Sequence, residues 1–192
     1  MAGIKEEWIA ALSSPDQRVR ERAAAEIYAK GRSLADDIIR SWSENKELAE
    51  LIGGDPEVTV GLAVRPETLR RIREANGWPR LAEVPSDQDA SEFELHFEGR
   101  VALDVLTSRE SDGRGAIAKF LSKYGQGVQQ VEIRCSDVDR ATQIVGESFA
   151  VTAVYPKTRP GADGTRVNFF LVPASDGKKV LIELYEPAPI RF

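Results

Sequence analysis

Cysteine and histidine are almost missing from this chain of 192 residues: Cys135 is its only cysteine and His96 its only histidine. One thiol cannot form an internal disulfide or a cysteine metal cluster. A lone histidine on a strand is more often a surface or hydrogen-bonded residue than an acid or a ligand. Long apolar runs are missing too; none approaches the ~18 to 20 residues that a helical membrane span requires, so no membrane role is expected. Basic charge is not in excess. With 26 Lys and Arg against 31 Asp and Glu, the net charge is -5, which argues against nucleic acid and leaves room for a small anion held by local arginines. The opening Met1-Ala2-Gly3-Ile4-Lys5-Glu6-Glu7 lacks the basic-then-apolar order of a signal peptide, so the expected location is the cytoplasm. What is present, 42% hydrophobic and 30% charged residues, suits an ordinary globule with one main domain and an extension.

The extension is residues 1–54, which read as helix. Trp8, Ile9 and Leu12 make a short apolar face. Ser14-Pro15-Asp16-Gln17 then supplies a capping serine, proline at the first helical position and a capping-box glutamine. The helix it starts carries Val19, Ala23, Ile27 and Tyr28 on one face, and Gly31 is its expected stop. Ser33 with Asp36 repeats the capping pattern for a third helix through Leu34, Ile38, Ile39 and Trp42, with a restart at Ser43 toward Leu48, Leu51 and Ile52. Such an amphipathic unit is expected to pack on the main domain or on a second copy of the chain, which would make a homodimer.

Residues 57–187 change to a strand-rich texture. Val58 to Val64 reads as a strand, Pro66 to Asn76 as a helix, and Arg80 to Val84, Phe93 to Phe97 and Arg100 to Leu106 as three strands. After a turn at Ser111-Asp112-Gly113 and a linking helix from Gly115 to Tyr124, the order recurs. Strand Val128 to Cys135 runs into a helix beginning at Asp137-Val138-Asp139, and strands Val151 to Tyr155, Arg166 to Val172 and Lys179 to Glu186 follow. The expected fold class is therefore α+β, two βαβββ units with a helical segment before them. Thr59 aligns with Gln130 in this duplication, and Asp104 with Glu183.

Strand alternation assigns faces. If Val131, Ile133 and Cys135 meet the helix, Gln130, Glu132 and Arg134 line the open face. The same parity brings Thr59, Gly61, Ala63, Asp104, Leu181, Glu183 and Tyr185 to it, and it places Glu94 with His96. A buried Asp104 needs a metal, an arginine or a substrate group as partner. Arg134 either bridges to a neighbouring acid or grips a ligand carboxylate. Glu183 either answers an arginine or faces a ligand, and Glu94 fits an exposed strand as well as a base.

The segments Ile117-Ala118-Lys119-Phe120-Leu121, Gly127 to Ile133 entering Asp137-Val138-Asp139, Arg159-Pro160-Gly161-Ala162-Asp163-Gly164-Thr165-Arg166-Val167-Asn168-Phe169, and Val180-Leu181-Ile182-Glu183-Leu184 together resemble the methylmalonyl-CoA epimerase family. That family lies within the vicinal oxygen chelate superfamily of glyoxalases and bleomycin-resistance proteins. The resemblance implies a glyoxalase-like cleft over 57–187 and a divalent metal held by four strand residues. Glutamates on either side of the substrate α-carbon remove and return a proton, while the metal holds the developing enolate. Carried onto this sequence, the metal positions are Thr59, Asp104, Gln130 and Glu183, and the catalytic glutamates are Glu94 and Glu183.

Threonine and glutamine stand where the resemblance calls for histidines. Without imidazole the set loses its preference for zinc, cobalt or nickel, and magnesium, manganese or calcium would be held in their place, loosely or not at all. The reading preferred on these grounds is a divergent binding protein that takes a small carbonyl, carboxylate or acyl ligand without a tight transition metal, with Arg134, Glu132, Tyr185 and His96 as ligand contacts. The alternative is an epimerase-type isomerase that uses Glu94 and Glu183 with a hard divalent ion.

Overall fold

The computed structural model describes residues 4–109, 113–173 and 179–189; the expected turn at Ser111-Asp112 lies outside them. In chain order the helices and strands are α1 (Glu6–Ala11), α2 (Gln17–Ser43), α3 (Lys46–Ile52), β1 (Val58–Ala63), α4 (Pro66–Ala75), β2 (Ser91–His96) and β3 (Ala102–Thr107). The linking helix α5 (Ala116–Tyr124) leads to β4 (Gly127–Arg134), α6 (Val138–Phe149), β5 (Arg159–Pro160), β6 (Arg166–Pro173) and β7 (Lys179–Glu186). Contacts divide these residues into two compact units, 4–31 with 59–129 and 32–58 with 130–189.

In the unit of 59–129, β3 lies between β2, its antiparallel partner, and β1, its parallel partner. Asp104 is level with Gly61 on one side and with Glu94 on the other. Helix α4 begins at Pro66, whose missing N–H costs nothing in a first turn, and it buries Leu69 and Ile72. Asn76 closes the unit. Its Nδ2 donates to the Leu12 and Ile72 carbonyls at 3.0 and 2.8 Å, and its Oδ1 accepts from Arg20 Nε at 3.1 Å, which ties the corner between α1 and α2 to the end of α4.

The unit of 130–189 repeats the plan. Its first and last strands, β4 and β7, are parallel neighbours, β6 pairs with β7, and β5 pairs with β6. Glu183 is level with Glu132 on one side and Phe169 on the other, as Asp104 is with Gly61 and Glu94. The Asp137 carboxylate caps α6 by accepting from Arg140 N–H at 2.9 Å, in keeping with the helix start expected there. Val131, Ile133, Cys135, Phe170, Ile182 and Leu184 join one apolar cluster with α6 and with Ile38, Ile39, Trp42, Leu48 and Ile52. The second part of the leader thus packs on the sheet layer. Trp42 meets Phe170 edge-on at a ring separation of 6.0 Å, and Arg140 grips both Glu47 oxygens at 2.6 and 2.7 Å to hold α3 on α6.

Three local expectations fail for identifiable reasons. Gly31 does not stop a helix; α2 runs through it for 27 residues. The glycine serves close approach, because a Cβ there would stand 2.3 Å from Cγ1 of the buried Val60. Residues 80–84, flanked by Pro79 and Pro85, make no strand, although the Ala82 N–H donates to the Glu92 carbonyl at 2.9 Å. Residues 151–155 shrink to a bridge between Ala153 and Phe170. Pairing resumes at the short β5, beyond Pro156.

Gly31→Ala is accordingly expected to lower stability by about 1–3 kcal/mol, overpacking outweighing the roughly 1 kcal/mol that alanine gains in a helix. Gly146, exposed in α6 with only the Val151 carbonyl oxygen 4.0 Å from a built Cβ, is the control: Gly146→Ala should stabilise by ~0.5–1 kcal/mol. Urea titration of both variants checks the contrast.

Candidate functional site

The apolar cluster decides which side chains of β4 and β7 are left for chemistry. With Val131, Ile133, Ile182 and Leu184 turned into it, Gln130, Glu132 and Glu183 share the opposite face. The Gln130 amide nitrogen donates to Glu132 Oε1 at 3.1 Å and to Glu183 Oε2 at 2.7 Å. A primary amide has two N–H groups, so one residue can serve two carboxylates abreast on neighbouring strands. Glu132 is only 7% exposed, and a buried carboxylate is retained only with such donors around it.

Arg134 lies at the end of the same row and is drawn outward. Its Nη1 meets Glu57 Oε2 at 2.8 Å, its backbone N–H donates to the Glu57 carbonyl, and Glu57 raises the pKa of the guanidinium further. Tyr185 is its register partner on β7 and is half-buried. Glu57 precedes β1, far from Arg134 in the chain, and nothing in the sequence pattern pairs them. Cys135 belongs to the apolar side: burial, with Glu186 adding to it, pushes its thiol up to about 12, and its Sγ lies 3.4 Å from the Tyr185 carbonyl oxygen.

In the other unit Thr59 and Asp104 are buried, 3% and 6% exposed, on β1 and β3. Glu94 is level with Asp104 on β2 but more than half exposed, and its carboxylate meets His96 Nε2 at 2.8 Å. These two acids therefore share a sheet face in different surroundings. The Ala63 end of that face is not polar. Ala63 and Leu106 are covered by Ile117 of α5, with Val84, Phe120 and Leu121 packed around them. The apolar stripe of α5 was legible; the strand face it would cover was not.

The side chains of the 130–189 unit do not suit zinc, cobalt or nickel. Gln130 turns N–H groups, which repel a cation, toward both carboxylates. Cys135 points into the core. His96, in the other unit, is engaged by Glu94 at the surface. Among the described residues, no group of three or more His, Cys, Asp or Glu is placed to hold a metal ion.

No protein-family model and no curated protein sequence matches the chain. Solved structures do. Methylmalonyl-CoA epimerase from Mycobacterium tuberculosis is 31% identical over 72% of this chain and 91% of that one, with a TM-score of 0.58. A methylmalonyl-CoA epimerase in complex with methylmalonyl-CoA and NH4+ is 24% identical over 69% and 94% of the two chains, with a TM-score of 0.54. A Streptomyces coelicolor methylmalonyl-CoA epimerase variant in complex with 2-nitronate-propionyl-CoA is 23% identical over 68% and 96%, also with a TM-score of 0.54. The last two share the fold.

Gln130→Leu removes the donor common to Glu132 and Glu183 and should cost ~1–3 kcal/mol of stability. A double-mutant cycle with Glu183→Gln should give a coupling above about 0.5 kcal/mol, whereas additive effects would mean that the amide does not act on Glu183. Cys135, buried and far from its thiolate form at pH 8, should resist a thiol-alkylating reagent in the native protein and react once urea unfolds it; mass spectrometry of the labelled chain reads the difference.

Proposed function

Because this chain belongs to the methylmalonyl-CoA epimerase-like family of the vicinal oxygen chelate superfamily, we propose that it binds a small acyl or carbonyl compound against Gln130, Glu132 and Glu183, without an imidazole-ligated metal. One observation carries the reading: the amide of Gln130 donates to Glu183, the carboxylate that the resemblance assigns to a metal, and to Glu132 beside it. A neutral amide cannot act as a Lewis acid, so a ligand carbonyl would share the Gln130 N–H groups with Glu132 and Glu183 and would gain a hydrogen bond in place of enolate stabilisation. An acyl thioester of coenzyme A is the favoured ligand class, since two solved relatives of the same fold are complexes with such compounds.

Magnesium, manganese or calcium, bound loosely, would compete with Gln130 for the same oxygens. Arg134 and Tyr185 remain candidate contacts at the end of the row, and Arg134 would have to leave Glu57 to grip a ligand carboxylate; His96 is a candidate contact on the sequence reading alone. A second reading, α-proton transfer between Glu94 and Glu183 with a hard divalent ion, is favoured by the 31% identity to the Mycobacterium tuberculosis epimerase. Its weak point is Glu94, which is exposed and already bonded to His96.

Two measurements separate the readings. With a chelator present, propionyl-CoA at about a hundred times its Kd should stabilise the protein by ~2.7 kcal/mol, read as a rise in Tm. Methylmalonyl-CoA in heavy water should keep its α-proton at the uncatalysed rate, with or without magnesium or manganese. Metal-dependent exchange that disappears in Glu183→Gln would establish the epimerase instead.

A further inference from the structure

The face that carries Glu183 does not end there. Glu183 is level with Phe169, and the next same-face pair along β6 and β7 is Leu171 with Leu181. The bridge between Ala153 and Phe170, with Val154 N–H donating to the Phe169 carbonyl at 2.7 Å, brings Val154 alongside Phe169. Ala153, Phe170, Val172 and Val180 all turn into the core, so Val154, Phe169, Leu171 and Leu181 are left together on the other side. Leu171 is 49% exposed and Val154 47%, two of the few large apolar side chains left to water among the described residues.

Such a patch signals a ligand or a partner. Its position decides between them. It runs without a break into the pair Glu132 and Glu183, and charged residues are depleted from the centre of protein interfaces. Four side chains also fall short of the roughly 800 Å² per partner that a stable dimer buries. A small amphiphile, polar at one end and hydrocarbon at the other, matches both parts of the surface.

We propose that Leu171, Leu181, Val154 and Phe169 form a hydrocarbon subsite that selects acyl ligands with an apolar chain of several carbons over those with a short or charged acyl group. The inference rests on the acyl-ligand reading above and names the class within it. The carbonyl end lies toward Gln130 and Glu183, and the chain lies over the Leu171 and Leu181 pair. Each methylene that reaches this surface is removed from water, which strengthens binding about fourfold per carbon.

The test is a chain-length series, propionyl-, hexanoyl- and decanoyl-CoA, measured by calorimetric titration of the full chain in the presence of a chelator. Affinity should rise by about fourfold per methylene until the patch is covered. Leu171→Ser and, separately, Val154→Ser should flatten the rise and leave propionyl-CoA binding unchanged; both residues are exposed, so both variants are expected to fold. A flat series in the natural protein, or an undiminished rise in both variants, overturns the subsite while the acyl-ligand reading stands. Failure of every thioester to bind removes that reading and the subsite with it. Sedimentation of the same variants covers the remaining occupant: a flat series with an oligomer lost on Leu171→Ser would assign the face to a second copy of the chain and overturn the subsite.

Discussion

Burial of alternate residues on β4, β6 and β7 against α6 and Trp42 is the constraint from which the rest of the 130–189 unit follows. Val131, Ile133, Phe170, Ile182 and Leu184 are fully buried, and a shift of β4 or β7 by one residue would exchange the core residues of those strands with Gln130, Glu132 and Glu183. Register is strongly specified where one face is buried in this way. The chemistry of the opposite face is therefore a by-product of the core: its polar side chains are the ones that strand parity turns away from the apolar cluster.

The two units share a plan and differ in its filling. Gly61 and Glu94 flank Asp104 where Glu132 and Phe169 flank Glu183. One unit thus has a buried acid between a glycine and an exposed glutamate, with α5 closing the far end of its strand face. The other has two acids served by one amide and an apolar tier beyond them. A duplicated backbone does not impose duplicated chemistry, because each strand position is free to change once its parity keeps it off the core.

The amide at Gln130 sets what this face can stabilise. Imidazole brings a lone pair to a metal, and the metal spreads the charge of an enolate. The amide brings two N–H groups, which satisfy carboxylates already present and leave no Lewis acid behind. The identity to a solved epimerase and the geometry of the Gln130 amide are therefore separate observations, one about family and one about what these side chains offer a ligand. The apolar tier at Leu171 and Leu181 extends the same face, so recognition of a carbonyl group and of a hydrocarbon chain would draw on three neighbouring strands, β4, β7 and β6.

The sequence by itself determined the α+β class, the repeated order of elements, the parity that groups Gln130, Glu132 and Glu183, and the start of α6 at Asp137. These rest on local rules, strand alternation and helix capping, that act within a few residues. Only the tertiary structure decided that Gly31 is a contact point for Val60, that Arg134 turns to Glu57, that α5 covers Ala63 and Leu106, and that residues 80–84 and 151–155 fall short of full strands. Each of these depends on a partner distant in the chain, and no local periodicity carries the address of such a partner.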